Sequence, residues 1–110
     1  MMDDDTKNRF IKTFSDYITM IKGKHECARL VDIKMMDLYT IAPHICIVDI
    51  EHPSLRKKII FFGTQLVLNA NADLTGTYLD YDELNIDDIS FPLYGDGDII
   101  DHIISVSFKN

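Results

Sequence analysis

Apolar side chains near the start of the chain recur at intervals of three and four residues. This spacing puts them on one side of an α-helix, and the positions are Phe10, Ile11, Phe14, Tyr17, Ile18 and Ile21. Asp3, Asp4 and Asp5 come before this stripe, where acidic groups interact well with the helix dipole, and Gly23 follows as a stop. The pattern predicts an amphipathic helix over residues 3–22. Its stripe must be buried, either on the chain's own sheet or on a second subunit.

A second apolar series follows a loop over residues 24–31. Asp32 is a candidate N-cap, and Pro43 is a candidate end, because the residue before a proline avoids helical geometry. Between them lie the apolar positions Ile33, Met36, Leu38, Tyr39 and Ile41. This spacing predicts a short helix.

Alternating side chains predict a strand over residues 44–51. One face carries His44, Cys46, Val48 and Ile50, and the other carries Ile45, Ile47, Asp49 and Glu51. A turn is expected at His52-Pro53-Ser54, and the apolar run from Ile59 to Phe62 follows it. Residues 57–62 are therefore predicted to return as the antiparallel partner of this strand.

Polar residues and glycines interrupt the chain after this hairpin. Thr64 is a candidate N-cap for a short helix through Leu68, which Asn71 can end in the left-handed conformation. The segment from Asp73 to Gly76 has turn chemistry, because its side-chain oxygens can accept from nearby N–H groups and its glycine permits a positive φ.

The last third of the chain predicts a second hairpin. An acidic stretch with a helical turn at Tyr81–Leu84 leads to a strand at Ile89–Tyr94, where Pro92 is typical of an edge. A tight turn over residues 95–98 then precedes a final strand from Ile99 to Phe108. Its apolar face carries Ile100, Ile104, Val106 and Phe108 together with His102, and Ser105 and Ser107 face the other way.

These elements predict an α+β fold with an antiparallel sheet of about four to five strands and flanking helices. The 110 residues are expected to form one domain, with residues 1–23 as an N-terminal helix. The acidic start of the chain does not resemble a signal peptide, and the two cysteines fit a reducing compartment. We therefore expect a cytoplasmic protein with free thiols.

The net charge of -7 is distributed unevenly along the chain. Between Ile59 and Phe108 there is no Lys or Arg, whereas the same span contains nine acidic residues. Such a segment repels phosphate groups, so nucleic acid and anionic membranes are not expected partners. It is either a solvated acidic surface or a docking face for a basic partner.

Several short motifs occur in a fixed order: Pro43-His44-Ile45, residues 48–51, Phe62-Gly63-Thr64, residues 73–76, Pro92-Leu93, Gly97 and Asp101. This order resembles a short bacterial PAS family, found mostly in alphaproteobacteria, whose pattern is PH…DVE…GT…DLTG…PL…DG…VD. The likeness covers roughly Asp32 to Ile104. It implies a PAS-like core over residues 32–108 that senses a small molecule or a protein partner without catalysis.

The chain departs from that pattern in three places. The run from Ile59 to Phe62 is entirely apolar, where the family often has a basic residue a few positions before the Gly-Thr pair. Asn71-Ala72 stands where the family usually has Gly-Arg, and only Thr77 to Phe91 separate DLTG from PL, where the family has a long helix and another strand. The missing helix would form a wall of a ligand cavity. A structural dimerisation module without a ligand is therefore the alternative function, because a shortened core favours self-association.

We predict binding residues on this reading but no particular cofactor. Cys46, Val48, Ile60 and Phe62 are expected to line a ligand-binding sheet face. The homodimer interface is expected along the helical stripe, and comprises Phe10, Phe14, Tyr17, Ile18 and Ile21.

Other candidate chemistry has a plainer explanation. His25-Glu26-Cys27 and His44-Ile45-Cys46 supply zinc-ligand types, but the spacing within each pair is unusually short, so buried thiols and a strand-end histidine are expected instead. Asp96-Gly97-Asp98 lacks the further ligands of a calcium loop and predicts a turn. His102 is expected to be a hydrogen-bonded core histidine rather than a haem ligand, and Asp80, Asp82 and Glu83 a solvated surface. No motif of a nucleophile or a phosphate loop occurs, so no catalytic residue is predicted.

Overall fold

The computed structural model of the protein describes residues 2–79, 88–95, 97 and 99–108. Its helices are α1 (Asp4–Lys22) and α2 (Thr64–Ala70), and three 3-10 turns lie at Leu30–Asp32, Met35–Leu38 and Ala42–His44. The strands are β1 (Ala28–Arg29), β2 (Ile45–Ile50), β3 (Lys57–Phe62), β4 (Tyr78–Leu79), β5 (Ile89–Tyr94) and β6 (Ile100–Val106). The expected helical turn at Tyr81–Leu84, the side chains of Asp80, Asp82 and Glu83, and Asp96 and Asp98 of the expected tight turn lie outside the described residues.

One mixed sheet contains all six of these strands in the order β1-β5-β6-β2-β3-β4. Both predicted hairpins, β2–β3 and β5–β6, are present, and they join through the antiparallel pair of β2 and β6. The strand count exceeds the prediction because β1 and β4 add two short edge strands, and β1 runs parallel to β5. Two residues are too few to show an alternating pattern, so the sequence does not reveal these strands.

The N-terminal helix is confirmed, and it covers one side of the sheet. Asp3 accepts a hydrogen bond from the Thr6 N–H at 2.7 Å, which lowers the pKa of the Asp3 carboxyl, and Gly23 ends the helix with a φ of 58°. Phe14 and Ile18 are buried in the main core with Ile45, Ile47, Ile104 and Val106 of the sheet. We call this side of the sheet the α1 face. Of the two predicted alternatives, the apolar stripe is therefore buried on the chain's own sheet.

The segment between β1 and β2 forms three separate 3-10 turns rather than the predicted single helix. Asp32 ends the first turn instead of capping a helix, and Pro43 lies inside the third. Leu38 and Ile41 are buried against the sheet, so tertiary packing holds the segment. Tyr17 fixes its position, because its hydroxyl accepts from the Lys34 N–H at 3.0 Å and lies 3.2 Å from an Asp37 carboxylate oxygen.

The other side of the sheet, which we call the α2 face, is covered by the short helix α2. This helix begins at Thr64 after Gly63, and Thr64 does not serve as the predicted side-chain cap. Asn71 ends it with a φ of 58°, as the sequence predicts. Among the described residues, no helix is both long and apolar enough to cross a membrane.

Candidate ligand-binding face of the sheet

Two rows of side chains cross the α2 face from β5 to β3. The strand register aligns Ser90, Ser105, Cys46 and Phe62 in one row. The adjacent row contains Pro92, Ile103, Val48 and Ile59. Side chains directly opposite each other on neighbouring strands are in contact distance, so each row forms a continuous strip across four strands.

The β2–β3 half of these rows is closed by a small apolar core. Cys46, Val48 and Ile59 are buried there under Leu66 of α2. Phe62, Leu74, Leu79 and Ile103 pack around them. This half of the face is therefore filled by the protein's own side chains.

A polar turn holds one wall of this core in place. The Asp73 carboxylate accepts from the Thr75 N–H at 3.0 Å and from its hydroxyl at 2.6 Å, and these bonds lower the pKa of Asp73. Gly76 follows with a φ of 88° and donates its N–H to the Ile59 carbonyl at 2.7 Å. The predicted turn chemistry of residues 73–76 is thus confirmed, and its effect is to press Leu74 onto the sheet.

The hydroxyl of Tyr78 holds β4, the edge strand beside β3, in place. It donates to Glu51 at 2.6 Å, which raises the pKa of Tyr78, and the Arg56 guanidinium lies 3.8 Å from the centre of its ring. These contacts join β4 to the β2–β3 hairpin.

The β5–β6 half of the α2 face is more open. Ser90 and Pro92 on β5 are exposed, Ile103 on β6 is half-buried, and only Ser105 is buried. The hydroxyls of Ser90 and Ser105 lie 3.0 Å apart and share a hydrogen bond. An apolar surface with hydroxyl groups beside it suits a small ligand that makes few polar contacts.

Three of the four predicted pocket residues come together on this face, and the fourth does not. Cys46, Val48 and Phe62 belong to the small core, whereas Ile60 is 40% exposed. The register shifts opposite Ile47 and Val48, so that Ile60 has no partner and Ile59 takes the inward position. A β-bulge of this kind reverses the alternation on which the prediction depends.

A second bulge organises a polar cluster at the other side of the sheet. Asp101 has no partner on β5, because Leu93 pairs with His102 and Tyr94 pairs with Ile100. The Asp101 carboxylate therefore reaches its neighbour's ring, 2.7 Å from His102 Nδ1, while Asp49 lies 3.7 Å from His102 Nε2. His102 is a partnered, mostly buried histidine, as the sequence predicts.

The His-x-Cys pairs do not form one metal site. Cys46 lies on β2 and Cys27 precedes β1, with β5 and β6 between these strands. Neither cysteine forms a disulfide, and both are buried. Within the described ranges, no group of three or more His, Cys, Asp or Glu side chains is arranged to hold a metal ion.

The predicted dimer stripe is largely occupied within the chain. Phe14 and Ile18 are buried in the main core, and Phe10, Tyr17 and Ile21 are half-buried against it. Phe14 and Ile18 therefore cannot contact a second subunit while α1 stays docked. This packing corrects the prediction for those two residues.

Comparison of the chain with protein-family models, with curated proteins and with solved structures finds no match. The site is therefore described from its own geometry.

Sequence reasoning missed the open half of the α2 face. Ser90 and Pro92 were predicted only as parts of an edge strand, and Ser105 only as facing away from the apolar side chains of the last strand. The only trace in the sequence is the pair of small polar residues Ser105 and Ser107 at alternate positions, and their burial becomes evident only in the structure.

Proposed function

We propose that the protein is a PAS-like sensory or signalling domain that binds a small molecule or a protein partner on the α2 face. The single observation that carries this proposal is the unequal cover of that face. Its β2–β3 half is filled by Leu66 and Leu74, while its β5–β6 half leaves Ser90 and Pro92 exposed beside Ile103. A ligand there would extend an apolar core that already exists.

The motifs behind the family resemblance support the proposal through their structural roles. The glycine of the Gly63-Thr64 pair lies against the backbone carbonyls of Ala42 and Pro43, where a side chain has no room. The segment from Asp73 to Gly76 forms a closed hydrogen-bonded turn. The quoted residues thus sit where backbone geometry is restricted, which is a physical reason for the pattern.

The short connection between DLTG and PL also fits a reduced PAS-like core. A strand that directly precedes β5 in the chain would normally pair with its outer edge, because consecutive strands tend to be neighbours. In this protein β1 lies there, with Ala28 opposite Leu93 and Arg29 opposite Tyr94. An N-terminal segment thus covers part of the outer edge of β5.

We propose that the domain carries out no reaction of its own. The most reactive grouping among the described residues is the imidazole of His102 between Asp49 and Asp101, and those groups are engaged with one another. We further propose a cytoplasmic location, which two buried cysteines that form no disulfide support.

A ligand screen on the intact chain tests the binding proposal. A ligand that binds the folded state raises the unfolding temperature according to its affinity and concentration. We expect at least one metabolite or cofactor to shift the wild-type transition. Native mass spectrometry of the freshly purified chain provides a second readout.

Matched variants localise the effect. Ser90→Phe puts a large side chain on the open half of the face, whereas Ser54→Phe adds the same group to the exposed β2–β3 turn. We expect the ligand-induced shift to disappear in Ser90→Phe and to remain in Ser54→Phe. Equal ligand-induced shifts of the unfolding temperature in both variants would show that the ligand does not bind at Ser90. If no ligand shifts the wild-type transition and native mass spectrometry finds no bound molecule, the sensor function is refuted.

The alternative function is a dimerisation module, and one observation favours it. Val31, Met36 and Tyr39 expose most of their apolar side chains in the segment of 3-10 turns, with Met36 83% exposed. Met36 and Tyr39 are three residues apart, so they lie on one side of a 3-10 turn.

Light scattering of Met36→Asp/Tyr39→Asp, beside a Thr13→Asp/Thr19→Asp control on the exposed side of α1, tests this alternative. A dimer in wild type and control but a monomer in the first variant would support it. Monomers throughout would refute it.

A further inference from the structure

An aromatic stack around one histidine joins the beginning and the end of the described chain. The ring of Phe108 lies between Phe10 of α1, at 5.9 Å between ring centres, and His44 of the third 3-10 turn, at 4.7 Å. Phe108 is only 6% exposed. The stack therefore attaches the first half of α1 to the residues that follow β6.

The imidazole of His44 lacks a described hydrogen-bond partner on one of its two nitrogens within this stack. Its Nδ1 atom is buried and has no hydrogen-bond partner among the described residues. Burial lowers the pKa of His44, and the backbone of Ser107 offsets this only in part. The neighbouring backbone is fixed, because the Ser107 N–H donates to the His44 carbonyl at 3.0 Å.

The charged groups around the stack are few. Helix α2, which packs against the third 3-10 turn, carries no ionisable side chain. From the start of β5, the Asp88 carboxylate accepts from the Phe108 N–H at 2.8 Å. From α1, the half-buried Lys7 lies one turn before Phe10. Asp88 would favour a protonated His44 and Lys7 would oppose it, and neither has a described bond to its ring.

We propose that His44 is an acid-sensitive latch, whose protonation releases the first turns of α1 from the C-terminal end of β6. Protonation places a proton on both ring nitrogens. The new N–H at Nδ1 would be buried without an acceptor, and a buried unpaired donor is costly. Separation of Phe10 from Phe108 gives that group access to water.

The rest of α1 has anchors that do not involve His44. Phe14 packs against Phe91 with ring centres 5.6 Å apart, and Ile18 is buried in the main core. Tyr17 bonds to the segment of 3-10 turns. Release is therefore confined to the residues before Phe14, and the later turns serve as an internal control.

Amide hydrogen exchange of the intact chain between about pH 7 and about pH 5.5 tests the latch. After correction for intrinsic exchange, the opening constant of the first α1 turns is compared with that of the last turns. In wild type this ratio should rise as pH falls below the ordinary histidine value of about 6.5, by up to about tenfold per pH unit until the lowered pKa is reached.

His44→Gln supplies the matched control, because glutamine keeps a polar side chain of similar reach but has no titrating proton. Its ratio should stay constant over the same pH range. A flat ratio in wild type, or the same rise in His44→Gln, would overturn the proposal.

A measurement on wild type alone keeps the test decisive if the variant does not fold. The ring of His44 should titrate in the NMR spectrum with a midpoint below about 6.5. The amide shifts of the first α1 turns should change with the same midpoint. Amide shifts that do not follow the ring would also overturn the proposal.

Discussion

The substitution Gly63→Ala tests why a glycine stands between β3 and α2. The backbone of Gly63 has φ −62° and ψ 156°, which any residue adopts without strain. Glycine is therefore required at this position because a larger side chain has no room, not because of the backbone conformation. An added Cβ would lie closer than 3.0 Å to the carbonyl oxygens of Ala42 and Pro43, a distance that real Cβ atoms essentially never show.

The size of the effect follows from what must move. The obstructing atoms are backbone, so no side chain can rotate away, and α2 must separate from the third 3-10 turn. Overpacking of a fixed site typically costs about 1–3 kcal/mol. With backbone on both sides we expect the upper end, about 3 kcal/mol, which for a domain of this size lowers the unfolding temperature by roughly 12 °C.

Urea unfolding followed by circular dichroism measures this loss as a shift of the midpoint at constant slope. Thr64→Ala is the control, since Thr64 is exposed and its side chain makes no capping bond, and it should change the free energy of unfolding by less than about 0.5 kcal/mol. A Gly63→Ala variant as stable as this control would contradict the packing of α2 against the Ala42–His44 turn.

Three further predictions concern the segments that cover the α2 face. Leu66→Ala should destabilise the chain by about 3 kcal/mol by urea unfolding, because Leu66 is buried in the small core, whereas Leu68→Ala should change little because Leu68 is 69% exposed. Asn71→Ala should cost about 1 kcal/mol in the same assay, and Asn71→Gly should cost nothing, because Asn71 holds a left-handed φ. Bonds from Thr75 lower the pKa of Asp73, so its stabilising effect should be present above about pH 4 and be lost as pH falls through the lowered pKa; Asp73→Asn should remove this acid dependence in thermal unfolding.

Strong periodic signals predicted the main elements of this fold. Helix α1 shows a complete apolar stripe with Asp3 before it and Gly23 after it, and each feature serves as expected. The β2–β3 hairpin and the β5–β6 hairpin are likewise confirmed, because alternation and turn residues agree along both. Local patterns are reliable where propensity, periodicity and capping point the same way.

The errors arise where tertiary packing overrides local pattern. The segment from Leu30 to His44 is held by the burial of Leu38 and Ile41, and it forms three turns instead of one helix. Strand β1 exists only because β5 offers an edge at Leu93 and Tyr94. Neither arrangement has a signature within a window of a few residues.

The candidate site was predicted only in part for a related reason. Cys46, Val48 and Phe62 lie together on one face of the sheet, as predicted, but the bulge at Ile60 puts Ile59 in the position expected for Ile60. A bulge adds one residue to one strand. The sequence of β3 contains no glycine or proline that would indicate a bulge. The bulge at Asp101, which brings the Asp101 carboxylate to His102, could likewise not be predicted from the sequence.

An NMR titration of the intact chain with a ligand found by the screen tests the central claim most directly. The account predicts that shifts will concentrate on the β5–β6 half of the α2 face, at Ser90, Ile103 and Ser105, and will leave the buried α1 residues Phe14 and Ile18 unchanged. Shifts centred on α1, or no shifts at ligand concentrations that saturate the thermal effect, would contradict it.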